Sequence, residues 1–219
     1  MDSITLRNLL PLVFRGMENT ETIRTSRIWE VPSFTISRGC RMCVQAESGS
    51  GKSSLLSFIY GNRSDYSGTI LFDGTDIRTF GATAWSRIRT RTIALLPQEM
   101  RLFPRLTAME NICLKNDLTG YKTEAEIEAL LDRLGISDKK DVPVERLSVG
   151  QQQRVAIVRT VCQPFDFIFL DEPVSHLDSR NNLIAARIVE EEASRLGAGI
   201  VSTSVGNNLL LDNPEFVAL

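Results

Sequence analysis

The sequence of 219 residues lacks a long apolar segment and has no large excess of charge of either sign. No run of about eighteen apolar residues occurs, so no transmembrane helix is predicted. Residues 1–10 lack the basic start and long apolar core of a signal peptide. The 25 basic side chains nearly balance the 27 acidic ones, so the chain lacks the excess of positive charge that is typical of proteins that bind nucleic acid. We therefore expect neither a membrane-spanning chain, nor export by the signal-peptide route, nor a nucleic-acid partner.

Cysteine is also scarce. The four cysteines, at positions 40, 43, 113 and 162, are too few for a disulfide scaffold of this length and indicate a reducing compartment. Cys40 and Cys43 form a single C-x-x-C pair. On a strand, residues three apart point to opposite faces, which disfavours joint metal ligation. We interpret both side chains as core residues.

What the chain does contain is enough apolar sequence, 42% of its residues, for the full core of one α/β domain with a subdomain. Residues 3–14 and 34–37 have strand patterns, separated by a polar stretch at 16–26 that indicates a loop. Residues 67–77 alternate like an edge strand with an Asp-Gly turn, and 92–97 predict another apolar strand.

A phosphate-binding loop is predicted within residues 41–56, RMCVQAESGSGKSSLL. The segment predicts a strand at 41–45, a loop of small residues at 48–51 and a helix over 52–60. In that order, backbone N–H groups and the helix N-terminus converge on phosphate oxygens, Lys52 reaches the terminal phosphates and Ser53 holds Mg²⁺. The strict motif has glycine where this chain has Ala46, which resists positive φ. The structural alternative is a Ser/Gly-rich turn before an ordinary helix.

The second half of the chain is predicted to contain a helical insert and then a central strand. Residues 99–162 have a helical pattern, with Thr123 and Glu126 as a capping-box pair. The apolar run at 165–170 predicts a buried strand that ends in Asp171 and Glu172. Ligands of parallel sheets gather at the carboxyl ends of strands, which would bring both acids beside the phosphate loop. An amphipathic helix at 179–196 and a buried strand at 200–203 follow.

Five stretches carry a resemblance to a known family. In chain order they are AESGSGKSS at 46–54, LPQ at 96–98, LSVGQ at 147–151, FIFLDEP at 167–173 and SHLD at 175–178. Over nearly its whole length the chain resembles the ATP-binding-cassette (ABC) ATPases, and most of all the small cassettes of lipoprotein-release, cell-division and macrolide-type transporters.

The resemblance implies an α/β fold: a P-loop NTPase core with a mixed sheet, a small antiparallel β subdomain and an inserted α-helical subdomain. We expect a single ABC ATP-binding domain over 1–219. Its nucleotide-binding core and β subdomain would occupy about 1–98 and 163–219, and its helical signature subdomain would occupy 99–162.

The same resemblance implies roles for individual residues. The phosphates of ATP would be cradled by Gly49, Ser50, Gly51, Lys52, Ser53 and Ser54. Mg²⁺ would be served by Ser53, Gln98 and Asp171, the last through water. Glu172 is the predicted catalytic residue, which orients and deprotonates the attacking water.

A second chain would complete each nucleotide site. Its γ-phosphate contacts would come from Ser148, Val149, Gly150 and Gln151, a hydroxyl and amides at a helix N-terminus. Asp178 would couple the two sites. For the adenine, the family stacks an aromatic side chain; this chain offers Phe14 and Trp29, of which we favour Phe14, and a core role is an equal alternative for each.

The chain departs from the family pattern in three places. Besides Ala46, Val149 replaces the usual first glycine of the signature, and Ser204 occupies the position of the switch histidine. The single histidine, His176, lies inside SHLD and is predicted to be a surface residue. A serine hydroxyl is shorter than imidazole and carries no charge near neutral pH. The resemblance therefore implies slow hydrolysis, with Gln98, Glu172 and Ser204 at the catalytic position.

Three functions are compatible with the sequence. The first is an ATPase subunit that dimerises around Mg-ATP and drives a separate membrane permease, from the cytoplasmic face of the membrane. The second is an ATP-gated regulatory or structural subunit with little turnover. The third is a cassette that works on DNA or the ribosome, against which the absence of a second cassette, a long coiled coil and a basic face argues. The dimer could be a homodimer or a heterodimer, and the transported substrate and its direction stay open.

Overall fold

The computed structural model of the chain describes residues 1–17 and 20–219. Within these residues, nine strands form two sheets. The strands are β1 (Ser3–Pro11), β2 (Phe34–Ser37), β3 (Arg41–Gln45), β4 (Tyr66–Phe72), β5 (Thr75–Asp76), β6 (Ile93–Leu96), β7 (Phe167–Asp171), β8 (Gly199–Ser204) and β9 (Glu215–Ala218). The predicted α/β fold with a small antiparallel sheet is confirmed, but parallel and antiparallel pairing occur in separate sheets, so the sheet of the core is parallel and not mixed.

The larger sheet has the order β6-β7-β8-β3-β9, and all its pairs are parallel. β7 is buried over its entire length, which confirms the predicted central strand. Its side chains alternate between two hydrophobic clusters, with Ile168 and Leu170 in one and Phe167 and Phe169 in the other. β3 and β7 share this sheet, so their carboxyl ends lie at the same edge.

The smaller sheet is antiparallel, in the order β2-β1-β4-β5. Asp73 and Gly74 connect β4 to β5 with φ of 46° and 81°, the backbone of a two-residue hairpin turn, as predicted. The prediction that β4 is an edge strand was wrong, because β4 pairs with both β1 and β5. Its alternating pattern arises from burial on only one face of the sheet.

Seven α-helices complete the described part of the chain. They are α1 (Glu21–Thr25), α2 (Lys52–Ile59), α3 (Ala82–Arg91), α4 (Ala108–Asn116), α5 (Glu124–Arg133), α6 (Val149–Val161) and α7 (Ser179–Leu196). The helical pattern predicted over 99–162 corresponds to α4, α5 and α6, which pack with α7 in one hydrophobic cluster. The antiparallel sheet and α2 belong to the other cluster. The division into subdomains at these boundaries stays a prediction.

Several local expectations require correction. The strand predicted over 3–14 ends at Pro11, and Leu12–Phe14 forms a 3₁₀ turn. The polar stretch predicted as a loop contains α1, while residues 18 and 19 of that stretch lie outside the described residues. In the part of the chain that is described, no helix is both long enough and apolar enough to cross a membrane.

Candidate functional site

The phosphate loop between β3 and α2 has the backbone expected of an anion cradle. Gly49 and Gly51 have φ of 84° and 100°, a region that side chains with a Cβ rarely adopt. Gly51 also precedes the first residue of α2, so the loop leads directly into a helix N-terminus. A Cβ at Gly51 would lie 3.0 Å from Cζ2 of Trp29 and 3.2 Å from Cε2 of Phe14.

One open pocket brings together residues from three separate segments of the chain. Its lining consists of Ser48, Gly49, Gly51, Lys52, Ser53, Ser54, Gln98 and Glu172. The Ser53 hydroxyl donates to Oε1 of Gln98 at 3.4 Å. Hydroxyl, amide and carboxylate oxygens are ligands that Mg²⁺ prefers, so the donor set fits this metal. Seven of the predicted site residues therefore lie around one pocket.

Lys52 carries the positive charge of the pocket. Its Nζ donates to the carbonyls of Ala46 at 2.8 Å and Glu47 at 2.7 Å, and the residue is 5% exposed. Burial lowers the pKa of Lys52, whereas the nearby carboxylates of Glu172 and Asp171 act in the opposite direction. Both hydrogen bonds are to uncharged carbonyl groups. The ammonium group is thus held in place without a direct ion pair, and its positive charge is available to a phosphate ligand.

The hydroxyls of Ser50 and Ser54 each make a hydrogen bond within the protein. Ser50 donates to the Glu47 carbonyl at 2.8 Å, and Ser54 accepts from the Arg63 guanidinium at 2.9 Å. The Ser50 hydroxyl has already donated its proton, so Ser50 would contact phosphate through its backbone amide, whereas the Ser54 hydroxyl can still donate.

The two candidate adenine contacts differ in burial. Trp29 is 1% exposed, and its indole N–H donates to the Ser50 carbonyl at 3.1 Å. This hydrogen bond thus stabilises the phosphate loop. Phe14 is partly buried beside Gly51 and stays the predicted stacking residue.

Asp171 ends β7 and Glu172 follows it, at the carboxyl edge of the sheet, as predicted. Both are held by Thr203 of β8, which pairs with Asp171 in the parallel register. The Thr203 hydroxyl donates to Asp171 Oδ1 at 2.6 Å and accepts from the Glu172 N–H at 3.2 Å. Asp171 is buried, while Glu172 faces the pocket.

Ser204 ends β8 opposite Gln45 of β3. The residue is 1% exposed, and its hydroxyl donates to Oδ1 of Asn208. The same oxygen accepts from Gln45 Nε2 at 3.2 Å and Cys43 Sγ at 3.4 Å. The hydroxyl is therefore committed to an internal polar cluster, and Ser204 lies outside the lining of the phosphate-loop pocket described above.

The signature residues lie at the start of α6. Ser148 and Gln151 form a capping box, in which the Ser148 hydroxyl accepts from the Gln151 N–H at 3.3 Å. Val149 is 47% exposed. Together with Gly150, these residues lie outside the lining of the phosphate-loop pocket. The helix N-terminus is thus presented to solvent.

Asp178 caps the N-terminus of α7. Its Oδ1 accepts from the Asn181 N–H at 2.8 Å, and this backbone hydrogen bond lowers the pKa of the exposed carboxyl. His176, as predicted, is exposed; its Nδ1 lies 3.0 Å from the Ser175 hydroxyl.

Sequence reasoning missed residues that hydrogen-bond to the predicted site residues without lining the pocket, including Thr203, Asn208 and Gln153. Gln153 was detectable in principle. It lies three and four residues before the buried Ala156 and Ile157, so helical spacing places an amide on the apolar face of α6. A polar residue at such a position requires internal partners.

The chain was compared with protein families and curated proteins. The family model described as "ABC transporter" matches residues 30–175. The lipoprotein-releasing system ATP-binding protein LolD of Shewanella denitrificans is 31% identical over 180 residues, which are 81% of this chain and 77% of that protein. The ABC transporter ATP-binding protein YtrE of Bacillus subtilis is 32% identical over 162 residues, 73% of this chain and 70% of that protein.

Solved structures share the fold. The dimeric bacterial ABC transporter cassette MJ0796 has a TM-score of 0.75 at 24% identity, over 92% of this chain and 87% of that chain. A bacterial Atm1-family ABC exporter with ATP bound has a TM-score of 0.71 at 23% identity. The match covers 93% of this chain and 34% of the exporter.

Motifs, pocket and sequence matches agree over most of the chain. The chain belongs to the ABC transporter family and is one of its ATP-binding, ATPase cassettes.

Proposed function

We propose that the chain hydrolyses ATP as one half of a cassette dimer and drives a separate membrane permease. One observation carries this proposal. The pocket joins the phosphate loop, Gln98 and Glu172, whereas the signature residues lie at the exposed N-terminus of α6, outside that pocket. A second cassette, identical or related, would supply its signature to this pocket and receive Ser148 to Gln151 of this chain in return.

The residues of the pocket divide the work of hydrolysis. Lys52 and the amides of the glycine loop bind and orient the phosphates. Ser53, Gln98 and Asp171 would hold Mg²⁺, which supplies charge neutralisation at the phosphate oxygens when bound. The Glu172 carboxylate orients a water molecule and takes its proton.

Slow turnover forms part of the proposal. At the position of the family's switch histidine, the Ser204 hydroxyl is buried and bonded to Asn208. Loss of one charge-stabilising donor lowers the stabilisation of the transition state by up to about 3–4 kcal/mol. Since about 1.4 kcal/mol corresponds to one power of ten in rate, hydrolysis would be slowed by up to about a thousandfold.

A groove beside the Gln98 segment supports the permease as a partner. It lies between that segment and the helical insert and includes Arg101, Phe103, Leu114, Lys115 and Arg159. Phe103 and Leu114 are 56% and 46% exposed, apolar area suited to a helix of another protein. Docking there would place the cassette at the cytoplasmic face of the membrane.

The alternative function is an ATP-gated subunit with little turnover, which the buried position of Ser204 favours. Both functions require ATP-dependent dimerisation, and they differ in the rate of phosphate release.

Dimerisation is tested with Glu172→Gln, which retains the binding residues and removes the base. In gel filtration with light scattering, this variant should be dimeric in Mg-ATP and monomeric in Mg-ADP, and Lys52→Ala in the same background should stay monomeric. A Glu172→Gln chain that binds ATP yet stays monomeric at all concentrations would contradict a homodimer and require a partner cassette.

A further inference from the structure

Gln153 connects the signature helix to the backbone of the catalytic residue Glu172. The residue is 2% exposed, and both ends of its amide are used. Nε2 donates to the Glu172 carbonyl at 3.1 Å and to the Ser175 hydroxyl at 3.3 Å. Oε1 accepts from the His176 N–H at 2.9 Å. One side chain on α6 therefore holds both ends of the turn over residues 172–176.

The first turn of α6 is packed against the same turn of the chain. A Cβ at Gly150 would lie 2.9 Å from the His176 carbonyl oxygen, a distance that leaves no space for a side chain. Close packing and the Gln153 hydrogen bonds thus act together. Displacement of the signature helix must move residues 172–176 or break these contacts.

Glu172 is sensitive to such a displacement. Its φ is 49°, a left-handed conformation that non-glycine residues adopt only when their surroundings enforce it. Thr203 accepts from its N–H at 3.2 Å, and Gln153 donates to its carbonyl at 3.1 Å. Side chains therefore fix the peptide units on both sides of Glu172. Thr203 holds the unit before this residue, and Gln153 holds the unit after it.

We propose that Gln153 is a positioning residue that couples the two nucleotide sites of the dimer, an inference that rests on the proposed function. In the dimer, the start of α6 would contact the partner's nucleotide, whereas Glu172 acts on this chain's own nucleotide. Gln153 joins these two regions directly. Binding of ATP at one site thereby sets the backbone conformation of Glu172 at the other.

The test compares Gln153→Met with Gln152→Met. Methionine preserves an unbranched side chain without the amide. Gln152 is the matched control, because its Nε2 also donates from α6 to backbone carbonyls, those of Val144 at 3.1 Å and Leu147 at 3.0 Å. Phosphate release is measured against ATP concentration, together with the ATP affinity of the metal-free chain and the thermal unfolding midpoint.

Coupling through Gln153 predicts a Hill coefficient of about 2 for the unsubstituted chain, falling to about 1 in Gln153→Met, with kcat lowered about tenfold. ATP affinity without metal should stay within about twofold. Gln152→Met should keep the Hill coefficient. Should Gln153→Met fail to fold, Ser175→Ala, at an exposed position, should lower the Hill coefficient in the same direction.

Each contrary result has a distinct meaning. Cooperative turnover that persists in folded Gln153→Met, or in Ser175→Ala when that variant replaces it, overturns the role of Gln153. A Hill coefficient of about 1 in the unsubstituted chain overturns the coupling itself. The proposed function fails instead, and this inference with it, if the unsubstituted chain shows neither Mg²⁺-dependent turnover nor an ATP-dependent dimer.

Discussion

Two lysines, one buried and one partly buried, show how the surroundings of a side chain set its pKa. Lys52 lies at the phosphate loop, where burial lowers its pKa and two nearby carboxylates oppose that effect. Lys115 belongs to the last turn of α4 and lines the groove beside the Gln98 segment, and its Nζ donates to the Arg89 carbonyl at 3.0 Å. Burial, followed by the charge of Arg159, lowers the pKa of Lys115 from 10.5 to about 8. With no carboxylate to oppose the shift, Lys115 loses its proton more easily.

The pKa of Lys115 predicts a dependence of stability on pH. The unfolded chain holds this proton more tightly than the folded chain, so folding is penalised below about pH 8 and the penalty disappears as the pH rises towards 10.5. In Lys115→Met the penalty is absent. The free energy of unfolding of the unsubstituted chain, minus that of Lys115→Met, should therefore rise by roughly 1–3 kcal/mol between pH 8 and 10. Urea denaturation at several pH values measures it, and a flat difference would refute the shift.

At this scale, motif residues were predictable and their supports were not. Gly49, Lys52, Gln98 and Glu172 were assigned from local sequence patterns, and the pocket contains all four. The support of the phosphate loop by Trp29 depends on a hydrogen bond across 21 positions of the chain. No local pattern encodes such a contact.

Helix N-termini organise the insert at the scale of elements. Capping boxes begin α4 at Thr107, α5 at Thr123 and α6 at Ser148. The box at Thr123 was predicted from its Glu three residues later. The same type of cap thus begins α5, for which no contact with nucleotide is proposed, and α6, the signature helix.

This recurrence gives a matched pair of substitutions. Thr123→Ala and Ser148→Ala each remove one capping hydroxyl, so each should lower the free energy of unfolding by about 1 kcal/mol. Only Ser148→Ala should also lower the rate of phosphate release, because α6 would contact the partner's nucleotide. Chemical denaturation and a phosphate assay measure the two effects. Equal loss of turnover in both variants would show that the cap acts through stability alone.

The elements that sequence patterns missed are those with little buried surface. None of the ten residues of α3 is buried, so its sequence has no continuous apolar face. β9 has four residues, of which one is buried, and it is defined by pairing with β3. By contrast, the buried run of β7 and the amphipathic α7 were predicted nearly to their ends.

Across the whole molecule, the two halves of the proposed nucleotide sandwich belong to different hydrophobic clusters. The phosphate-loop helix α2 packs with the antiparallel sheet, and the signature helix α6 packs with α4, α5 and α7. β7 contributes to both clusters and ends at Asp171. This arrangement gives each chain one phosphate loop and one outward signature, the geometry that two chains require to complete two sites.

Phosphate release at increasing protein concentration tests the account most directly, with Glu172→Gln and Ser204→His alongside. We expect slow, Mg²⁺-dependent turnover per chain that rises with concentration, because the site needs two chains. It should be abolished in Glu172→Gln and should increase about tenfold or more in Ser204→His, where imidazole restores a donor. Turnover that equals the Glu172→Gln background at every concentration, although ATP is bound, would contradict a hydrolysing homodimer.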